Sequence, residues 1–151
     1  MIIDIDYMLQ DSGFAIDADD KKVSLAIQQG EGVEVAMMLA ENYAVLCDLA
    51  VDSPYDVRIA GGIYTDERGH RRYIAGAKTA IAHIVFAWLL SNNIASTTFG
   101  SVRKKDDYSD NVDPFTLCRQ YYTIGRQMLR DLCSVMGWKL HQGVGYYKEV
   151  L

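Results

Sequence analysis

The residue types that most often perform chemistry are widely separated in this chain. Its three histidines, His70, His83 and His141, lack the short spacing of metal ligands. His83 lies in the apolar segment "AIAHIVFAW", which favours a packing role over a ligand role. Asp66 and Glu67 are of the type that forms paired carboxylates in acid–base catalysis. Their surroundings, "TDERGH", are more typical of an exposed turn.

The cysteine and glycine patterns add no catalytic signature. Cys47, Cys118 and Cys133 form no C-x-x-C pair, and an odd number at wide spacing favours reduced, buried thiols. There is no G-x-x-x-x-G-K-[ST] or G-x-G-x-x-G segment, and "GVGYY" near the end has no helix after it. The sequence therefore predicts a protein that is not an enzyme and that needs no metal or cofactor.

Cationic side chains cluster in two places. Such residues contact nucleic-acid phosphates without reading the base sequence, or pair with acids on another copy of the chain. The net charge of −5 argues against a dedicated DNA-binding protein. The two clusters are Arg68, Arg71 and Arg72, and Arg103, Lys104 and Lys105.

The charge is divided unevenly along the chain. Residues 1–57 hold twelve acids and two bases, a balance of −10, whereas residues 58–151 hold thirteen bases and eight acids, a balance of +5. Ordinary solvated surface is one explanation. The other is a head-to-tail contact between copies, because opposite patches on one molecule favour heterologous association.

Length and composition indicate a single domain over residues 1–151. Half of the residues are hydrophobic and only two are proline, which favours a folded globular protein. The acidic start, "MIIDIDYMLQDSGF", lacks the basic region of a signal peptide. The most apolar stretch is about ten residues, and a membrane span needs about twenty. We therefore expect a soluble protein, made in the cytoplasm, with no membrane contact.

The pattern of elements predicts a mainly α fold, a small bundle of three to four helices. Asp17 or Asp19 caps a first helix over residues 21–29, which "GEG" then bends. One amphipathic face, Val33 to Ala50, continues to "DSP". Whether residues 19–51 form one helix or two stays open.

The second half predicts a hairpin and two further helices. Residues 62–65 and 70–74 flank "DERG" as a short β-hairpin, in which Gly69 supplies a positive φ. A helix follows from Ile74 to a stop near "SNN", residues 91–93. Asp113 and Pro114 begin the last helix and Gly137 ends it. Its apolar face is Cys118, Tyr121, Gly125, Met128, Leu132 and Met136.

Three segments are left outside these helices and the hairpin. Residues 1–16 form an N-terminal segment. Residues 96–112, "STTFGSVRKKDDYSDNV", predict a long loop that projects between two helices. Residues 138–151 predict an extended C-terminal arm, and Trp138, Tyr146 and Tyr147 offer it large contact surfaces.

A family resemblance emerges from this order of segments. The acidic first helix is followed by "GIYTDERGHRRYIAGAKTAIAHIVFAWLL", then by "ASTTFGSVRKKDDYS" and a closing helix. The series resembles the head–tail connector, or adaptor, proteins of tailed bacteriophages and prophages. It looks closest to the versions in phages of Bacteroides-type hosts. The resemblance covers most of residues 17–137 and lies in the order and character of the segments.

The resemblance implies a structural virion protein at the phage neck. Such connectors form a ring, commonly dodecameric, beneath the portal, and join it to a stopper or tail-completion protein. The ring surrounds the DNA passage, so non-specific contact with packaged DNA is a further expectation. Partner contacts are then expected in the projecting loop, in the arm through Trp138, Tyr146 and Tyr147, and at the hairpin through Arg68, Arg71 and Arg72. The loop contacts are Thr98, Phe99, Arg103, Lys104, Lys105 and Tyr108.

Three alternatives remain open at this point. From the same setting, the chain fits a tail-completion or stopper protein. From other classes, it fits a small nucleic-acid-binding protein or an enzyme of a kind that the motifs do not reveal. The connector predicts a ring of defined size, the second predicts salt-sensitive duplex binding by a monomer, and the third predicts a pocket that gathers His83 or a cysteine with carboxylates.

Overall fold

The protein has a mainly helical fold with one β-hairpin, as the sequence predicted. The structure, a computed structural model, describes residues 1–96 and 114–143. The described elements in chain order are a π-helix at Tyr7–Asp11 (π1), α1 at Asp20–Ile27, a second π-helix at Gln28–Val35 (π2), α2 at Ala36–Leu39, α3 at Asn42–Asp52, α4 at Val57–Ala60, β1 at Gly62–Thr65, β2 at Arg71–Ile74, α5 at Gly76–Ser96 and α6 at Pro114–Met136.

The first helix begins where the acidic residues predicted it. The side chain of Asp19 accepts a hydrogen bond from the backbone N–H of Lys22 at 2.9 Å and so caps α1. The regular α turns end at Ile27, and the "GEG" segment that was expected to bend the helix lies inside π2. The local irregularity was predicted, but its form, a run of wider π turns, was not.

The predicted amphipathic face from Val33 to Ala50 is confirmed in its second part, where Tyr43, Cys47 and Ala50 pack half-buried against the core, and is wrong in its first part, where Ala40 is exposed. α2 ends after four residues, and Ala40 has a φ of 51° before α3 begins. Val33 is half exposed. A π turn contains more residues than an α turn, so a 3.6-residue pattern does not continue through π2. The buried apolar residues of this stretch are Val35, Met38, Leu39 and Leu46.

The predicted hairpin is confirmed. β1 and β2 pair antiparallel, with Gly62 opposite Ile74 and Thr65 opposite Arg71. Gly69 has a φ of 80°, as expected for the connection. The second strand begins at Arg71, one residue later than predicted.

The long helix α5 lies at the centre of the core and contacts α1, π2, α4 and α6. It continues to Ser96, so the predicted end near residues 91–93 is wrong. Within that segment, the side-chain amide of Asn92 donates a hydrogen bond to Gln29 Oε1 at 2.7 Å. A packing partner on π2 therefore holds these polar residues in the helix.

Two glycines let neighbouring helices approach α5 closely. A Cβ on Gly30 of π2 would lie 2.9 Å from Val85 Cα, and a Cβ on Gly125 of α6 would lie 2.8 Å from Ala80 O. Alanine at either position would have to push the helices apart. Both helices therefore pack closely against α5.

The last helix agrees with its prediction. α6 begins at Pro114 and ends at Met136, and Gly137 follows with a φ of 71°. Of the predicted apolar face, Cys118, Gly125 and Leu132 are buried, and the other members pack half-buried against the core.

Both ends of the described chain join the core. Ile2, Ile3 and Met8 of the N-terminal segment are buried, and the ring of Phe14 stacks on that of Phe86 at 4.3 Å between centroids. At the other end, residues 138–143 have no regular structure, and Trp138 and Leu140 pack half-buried against the core. There the backbone N–H of His141 donates to Met38 O at 2.8 Å.

Candidate functional site

Two glutamates in π2, Glu31 and Glu34, are fully buried. Glutamate is rarely buried without partners, because the interior does not solvate its charge. π-helical turns are also rare and often lie at functional sites. The sequence analysis did not single out either residue. The available signal was the pair of acids, three residues apart, in a glycine-containing segment that interrupts a helix.

Glu31 ties the N-terminal residues to α3. Its two carboxylate oxygens accept hydrogen bonds from the backbone N–H of Ile2 at 2.6 Å and of Ile3 at 2.9 Å. The hydroxyl of Tyr43, the second residue of α3, also donates to this carboxylate. Burial raises the pKa of Tyr43, and the hydrogen bond to Glu31 raises it further, so the phenol stays protonated as a donor.

Glu34 connects π2 to α6 and to the C-terminal residues in a similar way. The hydroxyl of Tyr122 donates to Glu34 Oε1 at 2.5 Å. Burial, and then the hydrogen bond to Glu34, raise the pKa of Tyr122. Gly143 passes so close that a Cβ there would overlap the Glu34 carboxylate. The last described residue therefore packs directly against a buried acid.

These contacts assign the two carboxylates a structural role. Each accepts hydrogen bonds from distant parts of the sequence, and neither has exposed surface for a substrate to reach. We call Glu31 and Glu34 the buried carboxylates. Together they connect π2 to residues 2–3, α3, α6 and the tail.

His83 and Asp66, for which the sequence favoured structural over catalytic roles, make structural contacts. His83 Nδ1 lies 2.8 Å from Thr79 O, one turn earlier in α5, and its ring meets Phe14 edge-on at 5.0 Å. Asp66 accepts hydrogen bonds from the backbone N–H groups of Arg68 and His70, at 2.9 and 2.8 Å, and so orders the hairpin turn. The packing histidine and the turn carboxylate are confirmed.

The cysteines do not gather into a site. All three are free, and Cys118 and Cys133 are buried as predicted, while Cys47 is half-buried. Burial raises the pKa of Cys133 to about 11, which keeps the thiol protonated and unreactive near neutral pH. Across residues 1–96 and 114–143, no group of three or more His, Cys, Asp or Glu side chains is arranged to hold a metal ion.

An open groove of about 510 Å³ separates the N-terminal residues from α1. Its acids are Asp4, Asp6 and Asp20, and its apolar lining includes Ile3 and Ile27. The groove faces solvent and brings together side chains of one charge. It has the character of an acidic surface depression rather than an enclosed ligand site.

The three hairpin cations take different positions. Arg68 at the turn and Arg71 on β2 are exposed, whereas Arg72 donates a hydrogen bond to Asp131 O of α6 at 3.2 Å. The register explains this split, because neighbouring residues of a strand point to opposite faces. Arg71 thus remains available to a partner, and Arg72 contacts its own chain.

The outer face of the hairpin is apolar as well as basic. Ile63 and Tyr73 lie directly opposite each other in the register and are 54% and 72% exposed. Arg71 follows on the same side, two residues from Tyr73 and opposite Thr65. We call Ile63, Tyr73, Arg71 and Thr65 the hairpin face.

A second exposed apolar surface lies on α3. Val51 is 80% exposed and Val45 is half exposed, and both alternate with the exposed acids Asp48 and Asp52. Tyr55, just past the helix end, is 91% exposed. We call these five residues the α3 face. Exposed apolar residues that cluster beside charges are typical of protein interaction sites.

The remaining predicted contacts divide between the described and the other residues. Trp138 packs half-buried against its own core. The loop contacts Thr98, Phe99, Arg103, Lys104, Lys105 and Tyr108, and the arm contacts Tyr146 and Tyr147, lie outside the described residues. Their roles stay predictions.

Comparisons of the chain with protein families, with curated proteins and with solved structures found no match. Among the described helices, none combines the length and the apolar character that crossing a membrane requires.

Proposed function

We propose that the protein is a structural component of a tailed-bacteriophage virion, a head–tail connector that forms a ring at the neck. In this role it joins the portal to a stopper or tail-completion protein and surrounds the DNA passage. The observation that carries the proposal is the pair of exposed apolar faces of opposite charge, the basic hairpin face and the acidic α3 face. The order of sequence segments, which resembles that of connector proteins, supports the same assignment.

Opposite faces on one molecule suit a ring for a geometric reason. When face A of one copy binds face B of the next, every copy keeps one free A and one free B, and the chain of contacts closes if the rotation allows it. The four described core helices that meet at α5 give each copy a rigid body for such repetition. A catalytic protein would need a different arrangement, with reactive groups gathered at an accessible pocket.

A second candidate, a small nucleic-acid-binding protein, has one observation in its favour. Arg68 and Arg71 are exposed on the hairpin, and within the described residues neither forms an ion pair. Two exposed cations make few phosphate contacts, and the affinity of such proteins rises with the number of contacts. In a neck ring the same cations would face either a neighbouring copy or the DNA passage.

The test is genetic and structural. In the phage or prophage that encodes the chain, deleting its gene should leave heads and tails unjoined, and a wild-type copy supplied in trans should restore tailed particles. Purified virions should contain the chain in a fixed ratio to the portal protein, and cryo-electron microscopy should place it at the neck. Infectious tailed virions that lack the chain would contradict the proposal.

Duplex DNA binding by the isolated protein provides the discriminating control. The connector proposal predicts weak DNA binding, because only a few phosphates are contacted. Raising the salt concentration to 200 mM should lower the affinity for DNA by about tenfold or more. Tight binding by a monomer that is absent from virions would favour the second candidate.

A further inference from the structure

We propose that the hairpin face of one copy docks on the α3 face of a second copy. The inference rests on the proposed function for its expectation that many copies meet in one assembly, and it names the partner and the surfaces that the assembly uses. It follows from charge, exposure and register on the described residues.

The hairpin face has the geometry of a small docking platform. Ile63 and Tyr73 form a cross-strand pair, so their side chains lie side by side on the surface that faces away from α6. Arg72, on the opposite surface, contacts α6 through Asp131 O. The hairpin is therefore anchored on one side and presents an aromatic, an aliphatic and a cationic side chain on the other.

The α3 face is complementary to it. At 100° per residue, the helical positions Val45, Asp48, Val51 and Asp52 fall within an arc of roughly 120°. The opposite arc, which includes the buried Leu46, packs on the core. The exposed arc therefore carries apolar groups interleaved with two carboxylates, which match the apolar pair and the cation of the hairpin face.

A second copy is the occupant that these charges favour. Asp48, Asp52 and Arg71 form no ion pair among the described residues, and no hydrogen bond joins the two faces within one chain there. Each chain thus carries both halves of a complementary contact, and no ion pair among residues 1–96 and 114–143 satisfies either half. Charges at such a contact set orientation and encounter rate, while the apolar residues at its centre contribute most of the affinity.

The experiment uses charge reversal on the full chain. Arg71→Glu and Asp48→Arg, each alone, should weaken self-association by about tenfold or more, measured by sedimentation across a concentration series. Mixing the two variants should restore association, because each then meets a partner of opposite charge. Lys22→Glu and Asp17→Arg, exposed positions outside both faces, are the matched controls and should change little.

The outcomes separate this inference from the proposed function. Restoration on mixing supports the docking of unlike faces, and circular dichroism of each variant checks that the fold is retained. Loss in both variants without restoration would overturn the inference, as would association that neither change affects or a chain that stays monomeric at every concentration. In each of those cases, a neck location in virions would leave the connector proposal standing with other contact surfaces.

Discussion

Acidic residues serve two opposite purposes in the N-terminal third of this protein. Glu31 and Glu34 are buried in π2, where hydroxyl and backbone N–H groups from other elements satisfy them. Asp48 and Asp52 are exposed on α3 between apolar residues and form no ion pair with another described residue. The buried acids hold one chain together, and we propose that the exposed acids help to join two chains.

The local sequence around an acidic residue therefore does not indicate whether its side chain is buried or exposed. Each pair stands in a helical segment of mixed polarity, yet the π turns rotate the first pair into the core. Changes at the buried carboxylates should act on folding, and changes on the α3 face should act on association.

The largest effect is expected from Glu31→Ala. This change leaves two backbone N–H groups and the Tyr43 hydroxyl without their acceptor, and each buried unsatisfied donor costs about 1–3 kcal/mol. We expect a loss of at least about 3 kcal/mol in the free energy of unfolding, measured by urea denaturation. Asp48→Ala is the matched exposed control and should stay within about 0.5 kcal/mol of wild type. Equal losses in the two variants would break the comparison.

A smaller effect is expected from Tyr122→Phe. The substitution keeps the ring and removes the hydroxyl that donates to Glu34 at 2.5 Å. Loss of one hydrogen bond to a charged group should lower the free energy of unfolding by about 1.5–3 kcal/mol. Tyr55→Phe, at a hydroxyl that is exposed in the α3 face, is the control and should leave stability unchanged. A neutral Tyr122→Phe would show that Glu34 does not depend on this donor.

Alkaline pH should lower the free energy of unfolding through buried groups whose pKa values are raised. The pKa values of Tyr43, Tyr122 and Cys133 are raised in the folded protein, so the unfolded chain loses these protons at lower pH than the folded chain does. The stability that the groups contribute is complete below their ordinary pKa values of 9.0 for the thiol and 10.0 for the phenols, and it declines as the pH rises above them. Urea denaturation from pH 8 upward should show this decline, and Tyr122→Phe should make it shallower. A stability that rises with pH in this range would contradict the assignment of protonated donors.

The smallest effect on folding is expected from the loop cations. Replacing Arg103, Lys104 and Lys105 together with Ser should leave the Tm of the monomer nearly unchanged, because the sequence predicts a projecting loop here and charges on such a loop usually contribute within about 0.5 kcal/mol each. Assembly or partner docking should suffer instead, which sedimentation with and without the portal protein measures. A large fall in Tm would show that these residues stabilise the core.

The sequence predicted the elements whose signals are local. Pro114 and Gly137 limit α6, and "DERG" with its flanking strands defines the hairpin, because caps and turns depend on a few neighbouring residues. The predicted amphipathic face holds in α3 but not in the residues before it, since π turns and the positive φ of Ala40 change the helical register. The spacing of the apolar residues in that stretch does not indicate those turns.

The candidate site was predictable only in part. Arg71 was chosen from its charge, but its separation from Arg72 needed the strand register. The α3 face was not singled out, although the part of the predicted amphipathic face that lies in α3 packs against the core and leaves Val45 and Val51 exposed. The buried carboxylates were missed because charged residues in a sequence are ordinarily assigned to the surface.

Cysteine cross-linking between copies is the sharpest test of whether the hairpin face of one copy docks on the α3 face of the next. The variant carries Val51→Cys on the α3 face and Ile63→Cys on the hairpin face, with Cys47→Ser to remove the half-buried native thiol; Cys118 and Cys133 remain buried. When this variant is oxidised at concentrations at which the protein associates, we expect a ladder of disulfide-linked chains that ends at one ring size. Each single-cysteine variant should form no ladder. Association without any ladder in the double variant would contradict the docking of these two faces.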